Sequence, residues 1–68
     1  MSIGAKIRDA RRRRVLTQKE LAELAGLPRV TLVRIEGDKQ RPRPSTLRRV
    51  AKALGVKPQE LLEDAEVQ

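Results

Sequence analysis

Gly26 and Pro28 stand two positions apart in the stretch Ala25-Gly-Leu-Pro-Arg-Val-Thr-Leu32, between two apolar patterns of helical spacing. This corner constrains the fold more than any other feature of the chain. Glycine enters the left-handed conformation at little steric cost, so it ends a helix. Proline has a φ that is already helical and no N–H to leave unpaired, so it suits the first turn of the next. Two helices must meet across a sharp bend. The bend either folds the chain back to build a core or holds the second helix out as a probe.

The periodicity around the corner is helical throughout. Ile3, Ile7 and Ala10 share one stripe of a first helix that ends near Arg14. Thr17, followed three residues later by Glu20, is a capping-box signature, and it opens a second helix with Leu21, Leu24 and Ala25 as its apolar face. The third helix starts with Pro28 in its first turn, turns Leu32 and Ile35 inward and ends near Gly37. Arg29, Val30, Val33 and Arg34 are left facing outward. Asp38 to Arg43 form a basic loop, Leu47, Val50, Ala51 and Leu54 the stripe of a fourth helix ended by Gly55, and Pro58 to about Asp64 a short fifth helix using Leu61 and Leu62. No segment alternates with period two. The fold class is therefore all-α, one domain over residues 1–68 with its core in 3–62.

Composition narrows the function. Cysteine and histidine are both absent from the 68 residues, which removes disulfides, thiol chemistry, the usual zinc ligands and the commonest proton-transfer side chain. With no phosphate loop and no paired carboxylates in an evident cleft, an enzyme is not expected, and neither a metal nor a cofactor. No apolar run approaches the ~20 residues of a membrane helix, and the first ten residues lack the apolar centre of a secretory signal, so an intracellular, cytoplasmic protein is expected. Phe, Trp and Tyr are absent too, and with them the ring stacking by which single strands are held.

Sixteen Lys and Arg against nine Asp and Glu give a net charge of +7, which favours a polyanionic partner. The charge is unevenly placed. Residues 1–14 hold six bases and one acid, residues 15–40 four of each, residues 41–58 six bases and no acid, and residues 59–68 four acids. Two basic blocks flank a neutral middle, as phosphate-gripping segments would flank a reading element; a solvated helix surface would show the same blocks.

The spacing of Gln18, Leu21, Ala22, Gly26, Leu27, Thr31, Leu32, Ile35 and Glu36 resembles the helix-turn-helix of phage repressors and Cro-type regulators, the XRE-like group. "KIRDARRR" is similar to that group's first helix and "RRVAKALGVKPQELL" to its fourth and fifth, so the likeness covers residues 3–62. It implies a compact five-helix, lambda-repressor-like DNA-binding domain with the helix-turn-helix at 18–37 and an acidic tail at 63–68. The function implied is sequence-specific double-stranded DNA binding by a transcriptional regulator, a repressor. Ala22 would let the two helix axes approach closely, and Leu27, Leu32 and Ile35 would fix the corner from beneath.

By position, Arg29, Val30, Val33 and Arg34 would read base edges, arginine donating two hydrogen bonds to guanine and valine packing on a thymine methyl. Gln18, Thr31, Lys39, Arg41 and Arg43 would hold phosphates, and Arg11 would pair with Glu36 as an internal salt bridge. Four departures from the group's pattern stand out. Pro28 replaces a capping Ser or Thr; Val15 replaces a glycine, suggesting a different turn after the first helix; "EGDK" moves a glycine one place earlier, suggesting a rearranged loop; and "RPRPS" leaves the fourth helix to start with either Pro44 in its first turn or Ser45 as cap. Repressors of this kind act as dimers, and here a weak or DNA-assisted homodimer would use Val56, Leu61, Leu62 and Val67. The alternative is an antitoxin or adaptor that binds a protein partner as well as DNA, which predicts an apolar patch left exposed.

Overall fold

Ser2 begins the first helix. Its hydroxyl accepts the N–H of Ala5 at 3.1 Å and satisfies one of the four donors that a helix start leaves open. The computed structural model describes residues 2–66, with side chains described from Ser2 to Leu62. Over that range the chain forms α1 (Ile3–Arg13), α2 (Gln18–Ala25), α3 (Arg29–Glu36), α4 (Pro44–Leu54) and α5 (Pro58–Glu66), with no strand among the described residues. At α2 the capping box is complete: the Glu20 N–H donates to Thr17 Oγ1 at 3.0 Å, and the Thr17 N–H donates to Glu20 Oε1 at 2.8 Å. Pro44 takes the first position of α4 with Arg43 before it, which decides the start that "RPRPS" left open.

The first four helices end in the same way. In each, an N–H one or two residues past the cap returns to the carbonyl five residues before it: Leu16 to Arg11, Leu27 to Ala22, Lys39 to Arg34 and Val56 to Ala51, at 2.9–3.2 Å. The residue just before each of these donors is left-handed. Gly26 and Gly55 fill that place with φ of +70°, as expected for glycine, but Val15 (+57°) and Asp38 (+59°) fill it at the other two ends. A different turn was expected after α1 and a rearranged loop after α3. Both ends instead keep the glycine-type conformation without the glycine. At Val15 the physical reason is Arg11, which grips Leu16 from both sides: its carbonyl accepts the Leu16 N–H, and its Nη1 donates to the Leu16 carbonyl at 2.8 Å. At Asp38 the short polar side chain tolerates the region and accepts a hydrogen bond from Ser2 Oγ at 2.7 Å.

Ile7, Leu21, Ala22, Ala25, Leu32, Ile35, Leu47, Val50, Ala51, Leu54 and Leu61 make one wholly aliphatic core. α2 lies against α3 and α4, and α1 against α3, α4 and α5. Two expectations fail here. Leu24, assigned to the inner face of α2, is 63% exposed, because the short helix turns only its Leu21, Ala22 and Ala25 stripe to its neighbours. Leu61, assigned to a dimer contact, is buried in the core, while Val56 and Leu62 are partly buried against it; Val67 lies outside the described residues. The fifth helix spends its apolar side closing the domain. Its Pro58 start matches the expected one, with Lys57 N–H donating to Glu60 Oε2 at 2.6 Å.

Gly4 has no sequence signal beyond being a glycine inside a helix, yet the fold depends on it. A Cβ there would lie 2.3 Å from the Ile35 carbonyl oxygen and 2.9 Å from that of Glu36, so only glycine lets the start of α1 seat on the end of α3.

Candidate nucleic-acid interface

α3 is held from one side and open on the other. Leu32 and Ile35 are fully buried and Glu36 nearly so, whereas Arg29 and Arg34 are exposed, with Val30 at 61% and Val33 at 42%. The structure thus brings Arg29, Val30, Val33 and Arg34 together on one outward face. Two branched apolar side chains between two guanidinium groups gain nothing from water on such a face. The face therefore combines hydrogen-bond donors with apolar surface.

Pro28 is the cap of α3 and not, as expected, a residue of its first turn. Its φ of −62° and ψ of 140° are extended, and the helix begins at Arg29. The Pro28 carbonyl accepts from Thr31 and Leu32, at 3.0 and 3.3 Å, so the N–H groups of Arg29 and Val30 precede the first intrahelical bond. No side chain caps them and no acid stands in the first turn. The positive end of α3 is thus compensated by no side chain of its own first turn.

The Arg11 guanidinium meets the Glu36 carboxylate in a bidentate pair, Nε to Oε2 at 2.8 Å and Nη2 to Oε1 at 3.0 Å, with exposures of only 11% and 3%. Gln18 Nε2 donates to the same Oε1 at 3.3 Å. One carboxylate therefore joins α1, α2 and α3. Among the described residues no buried side-chain nitrogen or oxygen lacks a partner, so the pair is fully satisfied where an unsatisfied one would be costly. Gln18 is half-buried and keeps the second N–H of its amide, while Thr31 is half-buried on the flank of α3.

Lys39, Arg41 and Arg43 are exposed in the loop between α3 and α4, with Pro42 buried between the two arginines. A buried proline alternating with exposed arginines pins the loop and turns both cations outward. Sequence reasoning passed over Pro42, as it did Gly4 and the Ser2–Asp38 bond. The remaining arginines of the basic run differ in use. Arg13 is bonded to Asp9, one turn earlier, and that hydrogen bond, together with the Arg13 charge, holds the Asp9 carboxyl below its usual range. Arg14 lies at the end of α4, where a side chain on Gly55 would stand 3.5 Å from its guanidinium, and its charge suits the carbonyl end of that helix.

A scaffold that fixes one face of a short helix across a glycine corner, and sets a basic loop after it, is the architecture of helix-turn-helix DNA-binding regulators rather than of an enzyme. The chain belongs to this group: the family model described as Helix-turn-helix matches residues 7–61. Over 56 residues it is 48% identical to the immunity repressor protein of Bacillus phage phi105, a match that covers 82% of the chain and 39% of that relative. The chain thus spans well under half the length of this relative. Among solved structures it superposes on the DNA-binding domain of the P22 c2 repressor with a TM-score of 0.88 at 27% identity, covering 91% of this chain and 82% of that one. It superposes on the biofilm master regulator SinR, solved in complex with DNA, with a TM-score of 0.85 at 34% identity, covering 88% and 97%. No helix among the described residues is long and apolar enough to cross a membrane.

Proposed function

We propose that the protein is a sequence-specific double-stranded DNA-binding transcriptional regulator, acting as a repressor in the cytoplasm on nucleoid DNA, with α3 in the major groove. The observation that carries this reading is the outward face of α3, where Arg29, Val30, Val33 and Arg34 stand on a helix whose other side is locked by Leu32, Ile35 and the buried Arg11–Glu36 pair. Arg29 and Arg34 donate to guanine O6 and N7, and Val30 and Val33 pack on thymine methyls. Gln18, Thr31, Lys39, Arg41 and Arg43 hold phosphates, Gln18 through the amide N–H that Glu36 leaves over. Two copies bind a palindromic operator as a weak or DNA-assisted homodimer, their recognition helices about 34 Å apart.

Selection of bound sequences from random duplexes at stated salt tests the reading. A palindromic consensus containing guanine and thymine in each half is the expected result, and no enrichment over random DNA refutes it. Arg29→Ala should relax the preference at one position, whereas Arg43→Ala should weaken all sequences alike and flatten the salt dependence by about one unit of slope. Identical behaviour of the two variants would end the division into readers and clamps. The adaptor reading keeps one observation in its favour, the exposed Leu24.

A further inference from the structure

Among the described residues, four large apolar side chains are exposed: Val15, Leu24, Val30 and Val33. Val30 and Val33 belong to the base-reading face and Val15 sits at the tip of a turn. Leu24 borders a groove. The C-terminal end of α2 and the middle of α4 enclose a shallow depression of about 680 Å³, lined by Glu23, Leu24 and Gly26 on one side and Arg49, Lys52 and Ala53 on the other. A single exposed leucine is ordinary on a protein surface. The charges that flank it are of opposite sign on its two sides. Among the described residues no ion pair joins Glu23 to Arg49 or Lys52, although all three border the same groove.

We propose that this groove is a contact between two copies of the chain. The patch carries Glu23 and Leu24 on its α2 side and Arg49, Lys52 and Ala53 on its α4 side, so it is complementary to itself under a two-fold rotation about the groove. In such an isologous contact Leu24 of each copy faces Ala53 of the other, and Glu23 of each copy meets Arg49 and Lys52 of the other. The charge pattern also selects the occupant. A wholly acidic partner would satisfy the bases and leave Glu23 opposed by like charge, whereas a second copy satisfies both edges. The area is small and each chain carries +7, so the pair is weak in solution and gains from DNA, which neutralises both copies. The proposal rests on the homodimer proposed above and is independent of which side chains read bases.

Sedimentation equilibrium of the full chain without DNA tests it, with circular dichroism confirming that each variant is folded. The wild type should show a concentration-dependent dimer, and Leu24→Gln should weaken it by about tenfold or more, as loss of a central apolar anchor does. Glu23→Arg makes the patch wholly basic and the double variant Arg49→Glu/Lys52→Glu makes it wholly acidic. Each alone should be monomeric, and an equimolar mixture of the two should pair at least as tightly as the wild type. A wild type monomeric at millimolar concentration, a dimer indifferent to Leu24→Gln, or a mixture no more associated than its components would overturn the assignment. Binding of Leu24→Gln to a single operator half-site should match the wild type. Loss of sequence preference by the wild type itself would instead count against the DNA-reading assignment, so the two failures are told apart.

Discussion

Among the described residues Val15 is the one β-branched residue held at a positive φ, and replacing it should stabilise the protein. An L side chain in the left-handed region costs roughly 1–2 kcal/mol, and a branched one lies toward the upper end. Val15 is 87% exposed, so the burial that a substitution forfeits is small, about 0.2–0.4 kcal/mol of the ~1.5–3 kcal/mol of a fully buried valine. Glycine also loosens the unfolded chain, at about 0.4–1 kcal/mol. Val15→Gly is then left with a gain of about 0.5 kcal/mol, and Val15→Asn, which tolerates the conformation without that entropy, with about 1 kcal/mol. For a domain of this size these gains raise Tm by about 2–4 and 4–8 °C. Thermal unfolding followed by far-UV circular dichroism measures both. If both variants melt at or below the parent temperature, the left-handed valine is not strained and the account of the α1 end fails. The gain also depends on Arg11, whose grip on Leu16 imposes the turn; in an Arg11→Ala background the same substitutions should gain less, because the turn is then free to relax.

Glu36→Ala leaves Arg11 buried and unpaired and releases Gln18, and it should cost on the order of 3–5 kcal/mol, enough to bring a marginal domain close to unfolding at room temperature; a urea titration that matched the parent would rule the network out as a support. Gly4→Ala should cost at least about 1–3 kcal/mol, since the new methyl meets backbone carbonyls that cannot swing aside, and amide exchange should accelerate at both the start of α1 and the end of α3. The Glu20 carboxyl lies below its ordinary 4.5 because the Thr17 backbone N–H, and then its hydroxyl, hydrogen-bond it. Its folded-state value is depressed, so its contribution is present above 4.5 and is lost as the pH falls through the lowered folded value. Glu20→Gln should flatten that acid limb of the melting profile, and an unchanged slope would show that the capping box does not titrate with folding.

Helix positions were legible wherever the signal was local. Thr17 with Glu20, Gly26, Gly55 and Pro58 each act within one turn, so the sequence carries their meaning directly. What tertiary contact decides was harder to see. Leu24 sits on the correct period for burial, but a helix of eight residues needs only a narrow stripe, and periodicity does not say how wide the neighbour is. Val15 and Asp38 looked like changed turns because residue type was read in place of backbone demand, and Arg11 and Ser2 enforce that demand from elsewhere in the chain. Gly4 is the clearest instance. A glycine inside a helical stripe costs about 1 kcal/mol and calls for a reason, and that reason, the end of α3, lies more than thirty residues away. The face of α3 was legible, because resemblance assigned the positions and the core pattern turned them outward.

The seat of α1 on α3 has an electrical consequence. The start of α1, with its surplus of N–H groups, lies against the terminal carbonyls of Ile35 and Glu36 and beside the Asp38 carboxylate, so the negative end of α3 meets a positive helix end inside the protein. Its positive pole at Arg29 has no acid in its first turn and no capping side chain. α3 is therefore a half-compensated dipole, its negative end opposed by α1 and its positive end opposed by no side chain of its own first turn.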